Sequence, residues 1–319
     1  MHSSMIIHPD EVSKKWVDRL CNIGVKALGI HPRGGADSVK SLSELLSLSR
    51  DEGYRAVIDY AKSRGLEIEY ELHAAGYLLP RNLFLTNPEY FRMNEKGERT
   101  SDFNFCVSNP DALAIFSKRA GELSLSLYGS SDRYFFWLDD GHNLKCHCPR
   151  CRSLSASDQQ LICVNAMLDE IRRYKPNARL AYLAYMDSIL VPTTVLPRDG
   201  VFLEYAPFEK YTAKGEDAPK LIARERELIL PLIKFFSKNG AKVLEYWYDN
   251  SLYSNWTKPP KRFTLKESEM ENDICDYVNL GFCEISTFAC YLGRDYEDLY
   301  GEVDASKFGE VLAKASKNN

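Results

Sequence analysis

Short apolar runs alternate with stretches of helical periodicity almost from end to end of the chain, and nothing else in the sequence constrains its fold as much. The runs fall at residues 5–7, 25–30, 66–73, 134–138, 178–185, 201–208, 242–248 and 282–288. Between them apolar residues recur every three or four positions, as in Val12, Trp16, Val17 and Leu20, or Leu113, Phe116, Ala120, Leu123 and Leu127. Gly24 and Gly65 close helices, and Ser49 with Glu52, Ser157 with Gln160 and Thr264 with Glu267 have the spacing of capping boxes. Pro231 predicts a kink in a helix over 218–238.

Eight such strands with interleaved helices predict a parallel sheet closed into a (β/α)8 TIM barrel. The rival is an open, doubly wound sheet, but "HPRGG" after the second strand is neither a phosphate-binding loop nor a dinucleotide fingerprint. A chain of 319 residues suits one barrel, which typically takes ~250 residues before insertions, so 1–319 is expected to be a single domain. Two stretches depart from the pattern. The connection between the fifth and sixth strands carries Pro192 and Pro197 and is too broken for a full helix, and residues 74–108 show no periodicity at all. A loop of that length in a compact domain is expected to be a lid or substrate loop.

The formal charge of −4 arises from 45 acidic and 41 basic residues without a run of either sign, which excludes an electrostatic footprint for nucleic acid or an anionic membrane. No apolar run approaches the ~20 residues of a membrane span. The N-terminal "MHSSMIIHPDEV" lacks the features of a signal peptide, so a cytoplasmic protein is expected, or a secreted or periplasmic one if a leader has been trimmed. Nine cysteines, an odd number in a long chain, fit reduced thiols better than a disulfide framework. Cys21, Cys163, Cys275 and Cys290 lie in apolar stretches and are expected to be small core residues.

In a barrel of this kind chemistry sits at the carboxyl ends of the strands. Those ends carry His31 and Arg33, Glu71 and His73, Asp139 and Asp140, Tyr185 and Asp187, Glu204 and Tyr205, Tyr246 to Asp249, and Glu284 with Ser286. Aromatic faces beside carboxylates, with hardly any lysine, suit a carbohydrate: rings stack on sugars, and acids bond hydroxyls and move protons. The adjacent Asp139 and Asp140 stand out, because one ionised acid favours the protonated form of its neighbour, which can then protonate a leaving oxygen. Strand-end acids also cap helices or pair with arginine, so the pair alone does not decide the matter.

The segments "NPEYFRMNEKGERTSDFNFCVSNPDA" (87–112), "FFWLDDGHNLKCHCPRC" (135–151) and "YLAY…VFLEYAPF" (182–208) together resemble the domain of unknown function 4838 group, whose characterised members form glycoside hydrolase family 163. The resemblance runs from about the second strand to the eighth. It implies a TIM barrel endo-β-N-acetylglucosaminidase with its acid on strand four. The pair is also similar to those of the family 20 and family 84 hexosaminidases, in which the substrate's acetamido group is the nucleophile. Carried over, Asp139 would polarise the acetamido group and Asp140 would be general acid and then base. Tyr205 or Tyr248 would reach the acetamido oxygen, and Trp247 would form a hydrophobic wall. This sequence departs from the Asp-Glu pattern in having the shorter Asp second, which shifts the proton donor by about one methylene.

Cys146, Cys148 and Cys151 form CxCxxC, with His142 and His147 beside them. The spacing fits a zinc knuckle completed by His142, His147 or Cys106, and equally a disulfide or free thiols. Any zinc would be structural, and no cofactor is expected for catalysis. His31, His73, Arg33 and Tyr185 are candidates for binding sugar hydroxyls, with Arg33 able to read a substrate carboxylate. Asp249 and Glu245 on the seventh strand are candidate nucleophiles for a glycosidase acting without substrate assistance. The expected function is hydrolysis, endo or exo, of a β-N-acetylglucosaminide. The alternatives are a glycosidase for another sugar, such as a uronic acid, and a non-catalytic glycan-binding barrel.

Overall fold

The computed structural model describes residues 1–317. Eight parallel strands form a closed barrel in chain order: β1 (His2–Ile7), β2 (Ala27–Ile30), β3 (Glu67–His73), β4 (Arg133–Trp137), β5 (Arg179–Ala184), β6 (Val201–Tyr205), β7 (Lys242–Glu245) and β8 (Glu284–Phe288). β1 pairs with β2 on one side and with β8 on the other, which rules out the open sheet. Among the described residues no helix is long and apolar enough to cross a membrane.

Helices cover the barrel where the periodicity predicted them, with differences at their ends. Asp51, not Ser49, caps Glu52–Ser63 by accepting from the Tyr54 N–H. Ser155 and Asp158, not Ser157 and Gln160, form the capping box of Ala156–Arg172, and Lys266 occupies the N-cap position of Glu267–Leu280 without a side-chain cap. The helix predicted over 218–238 breaks at Leu228 into Ala218–Glu227 and Ile229–Phe236, three residues before Pro231, because a proline in the third helical position lacks only an N–H that has no intrahelical partner. A helix at Ser38–Leu48 was not predicted. Between β5 and β6 only the short turn Met186–Ser188 is helical, as the prolines foretold. Of the four cysteines expected in the core, Cys163 and Cys290 are buried, Cys21 is half-buried and Cys275 is exposed.

The barrel interior is charged at its base and aromatic at its mouth. Alternation along each strand sends Glu69, Glu71, Arg133, Glu204, Lys242 and Glu284 inward. Lys242 Nζ lies 2.6 Å from Glu71, 3.3 Å from Glu204 and 3.4 Å from Glu69, and 4.0 Å above the Phe135 ring. Arg133 makes a two-pronged contact with Glu284 and reaches Glu69 at 3.0 Å. These four carboxylates exceed the two cations by two, and burial raises both Glu71 and Glu204. Burial, with the nearby Glu204 and Glu69 charges, pushes Glu71 up to about 8 against the pull of Lys242.

Two outcomes follow for stability. Replacing Lys242 by Met strands buried carboxylates without their cation, which costs about 3–5 kcal/mol and is measurable by urea denaturation. A carboxyl whose folded value is raised binds its proton more tightly folded than unfolded, so stability falls as pH rises from the ordinary 4.5 through about 8. Glu71→Gln flattens that part of the pH–stability profile, whereas an unchanged slope would mean that Glu71 is ionised in the barrel.

Candidate active site

At the carboxyl ends of the strands opens a cleft of about 390 Å³. Its wall is a chain of aromatic rings in contact: Tyr185 with Phe208 at 5.2 Å, Phe208 with Tyr246 at 5.4 Å, Tyr246 with Phe288 at 5.3 Å, Phe288 with His31 at 5.1 Å and His31 with Trp137 at 5.5 Å. These residues continue the inward parity of their strands, so the wall is what the sheet's alternation becomes where the barrel meets solvent. Trp137 is tied to the charged base, since its Nε1–H donates to Glu204 at 2.8 Å.

Three histidines line the same cleft and share one arrangement. Nδ1 of His8 lies 2.7 Å from the carbonyl of His31, Nδ1 of His31 2.7 Å from that of Glu71, and Nδ1 of His73 2.8 Å from that of Leu138. A carbonyl only accepts, so each Nδ1 carries the hydrogen, which in an uncharged ring leaves Nε2 as an acceptor. Burial lowers His8, and burial with its two histidine neighbours lowers His31 well below its ordinary value, so both stay uncharged at neutral pH.

The two adjacent aspartates part company after β4. Asp140 lines the cleft, where its Oδ1 accepts from the Tyr185 hydroxyl at 3.0 Å. Burial pushes the Tyr185 phenol up, keeping it a donor. Asp139 instead lines a small adjoining cavity, which shares His73, Leu183 and Tyr185 with the cleft, and is held by the 74–108 segment: its Oδ2 accepts from the Asn104 N–H at 2.5 Å and forms an ion pair with Arg81. The Asp139 N–H donates in return to the Asn104 side chain at 2.9 Å.

From β7, Asp249 reaches the cleft. It caps the turn Asn250–Tyr253, accepting from the Ser251 N–H at 3.0 Å and the Ser251 hydroxyl at 2.5 Å. Burial raises it to about 6 in spite of those bonds. Arg33 is exposed at the rim and free of any ion pair among the described residues.

Besides Asp139, Asp187, Ser286 and the interior Glu71, Glu204 and Glu284, four residues singled out from the sequence are not brought to the cleft. Tyr205 has the parity opposite to Glu204, points out of the barrel and donates to the Glu225 carbonyl at 3.3 Å. Trp247 has the parity opposite to Tyr246, and its Nε1–H donates to Asp273 at 2.9 Å. β7 ends at Glu245 and the chain turns, so Tyr248 leaves the barrel and stacks on Phe263 at 5.5 Å. Glu245 points outward to Lys210 and to the hydroxyls of Tyr211 and Tyr277, the last at 2.6 Å. The sequence reading missed His8, Trp137 and Phe288 as wall residues, although counting parity from Ile6, Phe135 and Ser286 would have found them. Arg81 and Asn104 had no local signal.

The 74–108 segment contains only short helical turns and a bridge between Met93 and Arg99, and it buries Phe91, Phe105 and Cys106. Cys106 meets Cys146, Cys148 and Cys151 there, all four buried and free. His142 points instead toward Asp187 at 3.3 Å, and His147 toward Glu95 at 3.9 Å.

The sequence profile of a domain of unknown function (DUF4838) matches residues 49–223, more than half of the chain. The chain belongs to this family. The match takes in the 74–108 segment, the aspartate pair, the cysteine cluster, β5 and β6, whereas Asp249 lies beyond it. No curated protein sequence matches the chain. Among solved structures, the fold is similar to that of a glycoside hydrolase family 5 enzyme from Prevotella bryantii B14, with a TM-score of 0.52 and 11% identity over 96% of this chain and 86% of that one. A family 5 xyloglucanase from Bacteroides ovatus aligns with a TM-score of 0.51 and 14% identity, over 96% of this chain and 68% of that one. The β-galactosidase of Rahnella sp. R3 aligns with a TM-score of 0.55 and 10% identity; it covers 99% of this chain, which spans only 55% of that enzyme. At such identities the likenesses establish the barrel and nothing finer.

Removal of the Arg81 side chain leaves Asp139 without its cation and frees one end of the 74–108 segment. Arg81→Ala is expected to cost about 1–3 kcal/mol and to speed limited proteolysis within that segment. Unchanged cleavage there would mean that the ion pair does not hold it.

Proposed function

We propose that this protein is a glycoside hydrolase in which Asp140 is the general acid and then the general base. One observation carries the reading: a carboxylate at the end of β4, hydrogen-bonded by Tyr185, stands in a strand-end cleft walled by aromatic rings. Protonation of a glycosidic oxygen needs a carboxyl in reach of the scissile bond, and flat apolar faces beside neutral acceptors suit a sugar ring and its hydroxyls. The family 5 and β-galactosidase likenesses add a precedent for such chemistry on this fold, by analogy.

The reaction also needs a group to meet the developing charge at the anomeric carbon. In the hexosaminidase reading the substrate's acetamido oxygen does so, Asp139 polarises the acetamido N–H, and a β-N-acetylglucosaminide is cleaved with retention. Its support is the adjacency of the two aspartates. It requires Asp139 to exchange its contacts with Arg81 and Asn104 for the substrate.

A second reading is favoured by the placement of Asp249 and Arg33. Asp249 faces the same cleft without any such exchange, on the turn that follows β7, where it would be the carboxylate nucleophile of a retaining glycosidase. Arg33 offers a free cation at the rim for a uronic acid carboxylate. Here Asp249 must be ionised, so kcat/KM would fall off on the acid side near pH 6.

The test is hydrolysis of 4-nitrophenyl glycosides with and without a 2-acetamido group, in wild type and variants. Asp140→Asn is expected to lose about 10²–10⁴-fold in kcat, and wild-type turnover in that variant would overturn the proposal. Confinement of activity to acetamido sugars, with inhibition by thiazoline analogues and loss in Asp139→Asn, selects substrate assistance. Activity on uronides abolished by Asp249→Asn selects the second reading. Glycan binding without product on any substrate would leave a non-catalytic barrel.

A further inference from the structure

We infer that Cys106, Cys146, Cys148 and Cys151 bind one structural zinc ion as a tetrathiolate, and that the metal clamps the 74–108 segment to the loop leaving the aspartate pair. The four sulfurs lie within 4.8 Å of one another, and all four residues are buried. Cys106 Sγ is 3.6 Å from Cys148 Sγ and 3.8 Å from Cys151 Sγ. A tetrahedron with Zn–S bonds of ~2.3 Å has edges of ~3.8 Å. A disulfide would bring two of the sulfurs to ~2.05 Å, and the four cysteines are free.

The surroundings are built for thiolates. The Met93 N–H points at Cys146 Sγ at 3.4 Å and Arg99 lies 3.9 Å from the same sulfur, while the Ser108 hydroxyl is 3.0 Å from Cys151 Sγ. Four thiolates on a divalent ion carry a net double negative charge, which N–H donors and a guanidinium offset. The Cys148–Cys151 turn is closed by the Cys151 and Arg152 N–H groups, each donating to the Cys148 carbonyl at 2.9 Å, so that both sulfurs face one point. Gln159 braces the loop from the following helix: its side-chain oxygen accepts from the Cys146 N–H at 2.8 Å, and its amide donates to the carbonyls of Cys146 and Cys151 at 2.9 and 3.1 Å.

Four protein ligands close the coordination sphere, so the ion has no position for water or substrate and its role is structural. Cys106 is the ligand that gives it consequence. It is 40 residues before Cys146 in the chain, and its segment also delivers Arg81 and Asn104 to Asp139. The metal and the Asp139 ion pair are thus two fasteners between the same two pieces of chain. The inference is independent of what the cleft cleaves.

The whole chain, purified without chelator, is expected to carry about one zinc per molecule by inductively coupled plasma mass spectrometry. Growth with cobalt should give the strong visible bands and sulfur-to-metal charge transfer of a tetrahedral tetrathiolate, a readout that needs no variant. Cys106→Ser should lower the metal content, shift the cobalt spectrum to three sulfurs and expose the 74–108 segment to protease. Metal-free folded protein with all nine thiols titratable by a disulfide reagent after denaturation would overturn the inference, as would iron in place of zinc. A wild-type cobalt spectrum in Cys106→Ser would remove Cys106 from the site and with it the clamp.

Discussion

Lys242, buried at the centre of the barrel among Glu69, Glu71 and Glu204, is the contact on which the rest of the molecule rests. A barrel of parallel strands must fill its interior, and this one does so at the base with charges buried away from bulk water. Such a set holds only if the geometry satisfies nearly every group at once, because desolvation is costly and any missing partner leaves a bare charge. With β3, β4, β6, β7 and β8 all contributing, the network couples the relative heights of strands that are remote in sequence. It reaches the mouth through one bond, from Glu204 to the Trp137 indole.

From there the cleft follows. Trp137 packs against His73 and His31, and His31 against Phe288, so ring faces and backbone-anchored imidazoles take their places relative to the charged base. Asp140 enters this wall from the end of β4 with Tyr185 as its donor, while Asp139, one residue earlier, is taken by Arg81 and Asn104. Two adjacent carboxylates thus have different jobs in the fold. One faces the cleft; the other fastens a loop that runs past it.

Much of this was legible in the residues. Eight largely apolar runs separated by helical stretches mark the strands, because at least the helix-facing side of every strand in such a barrel is buried. Asp140, Tyr185, His31, His73 and Asp249 were all found by asking what stands at a strand's carboxyl end. The failures have equally local causes. Tyr205 and Trp247 look like wall residues until parity is counted, and Tyr248 until β7 is seen to end at Glu245. The helix Ser38–Leu48 was overlooked because four serines in eleven residues mask its leucine stripe. Asp51 and Ser155 displaced neighbouring candidates as caps, since several adjacent residues of that stretch carry side chains able to cap and only the path of the incoming chain chooses between them.

The sequence by itself determined the barrel, the position of an acid pair on its fourth strand and the presence of three closely spaced thiols, because each is written in local periodicity or in short spacing. Tertiary structure alone decided which aspartate meets the cleft and that Cys106 completes a set of four. Those outcomes depend on where a periodless loop of some thirty-five residues comes to rest. Its resting place is set by ion pairing and burial against residues far along the chain, which no local pattern records.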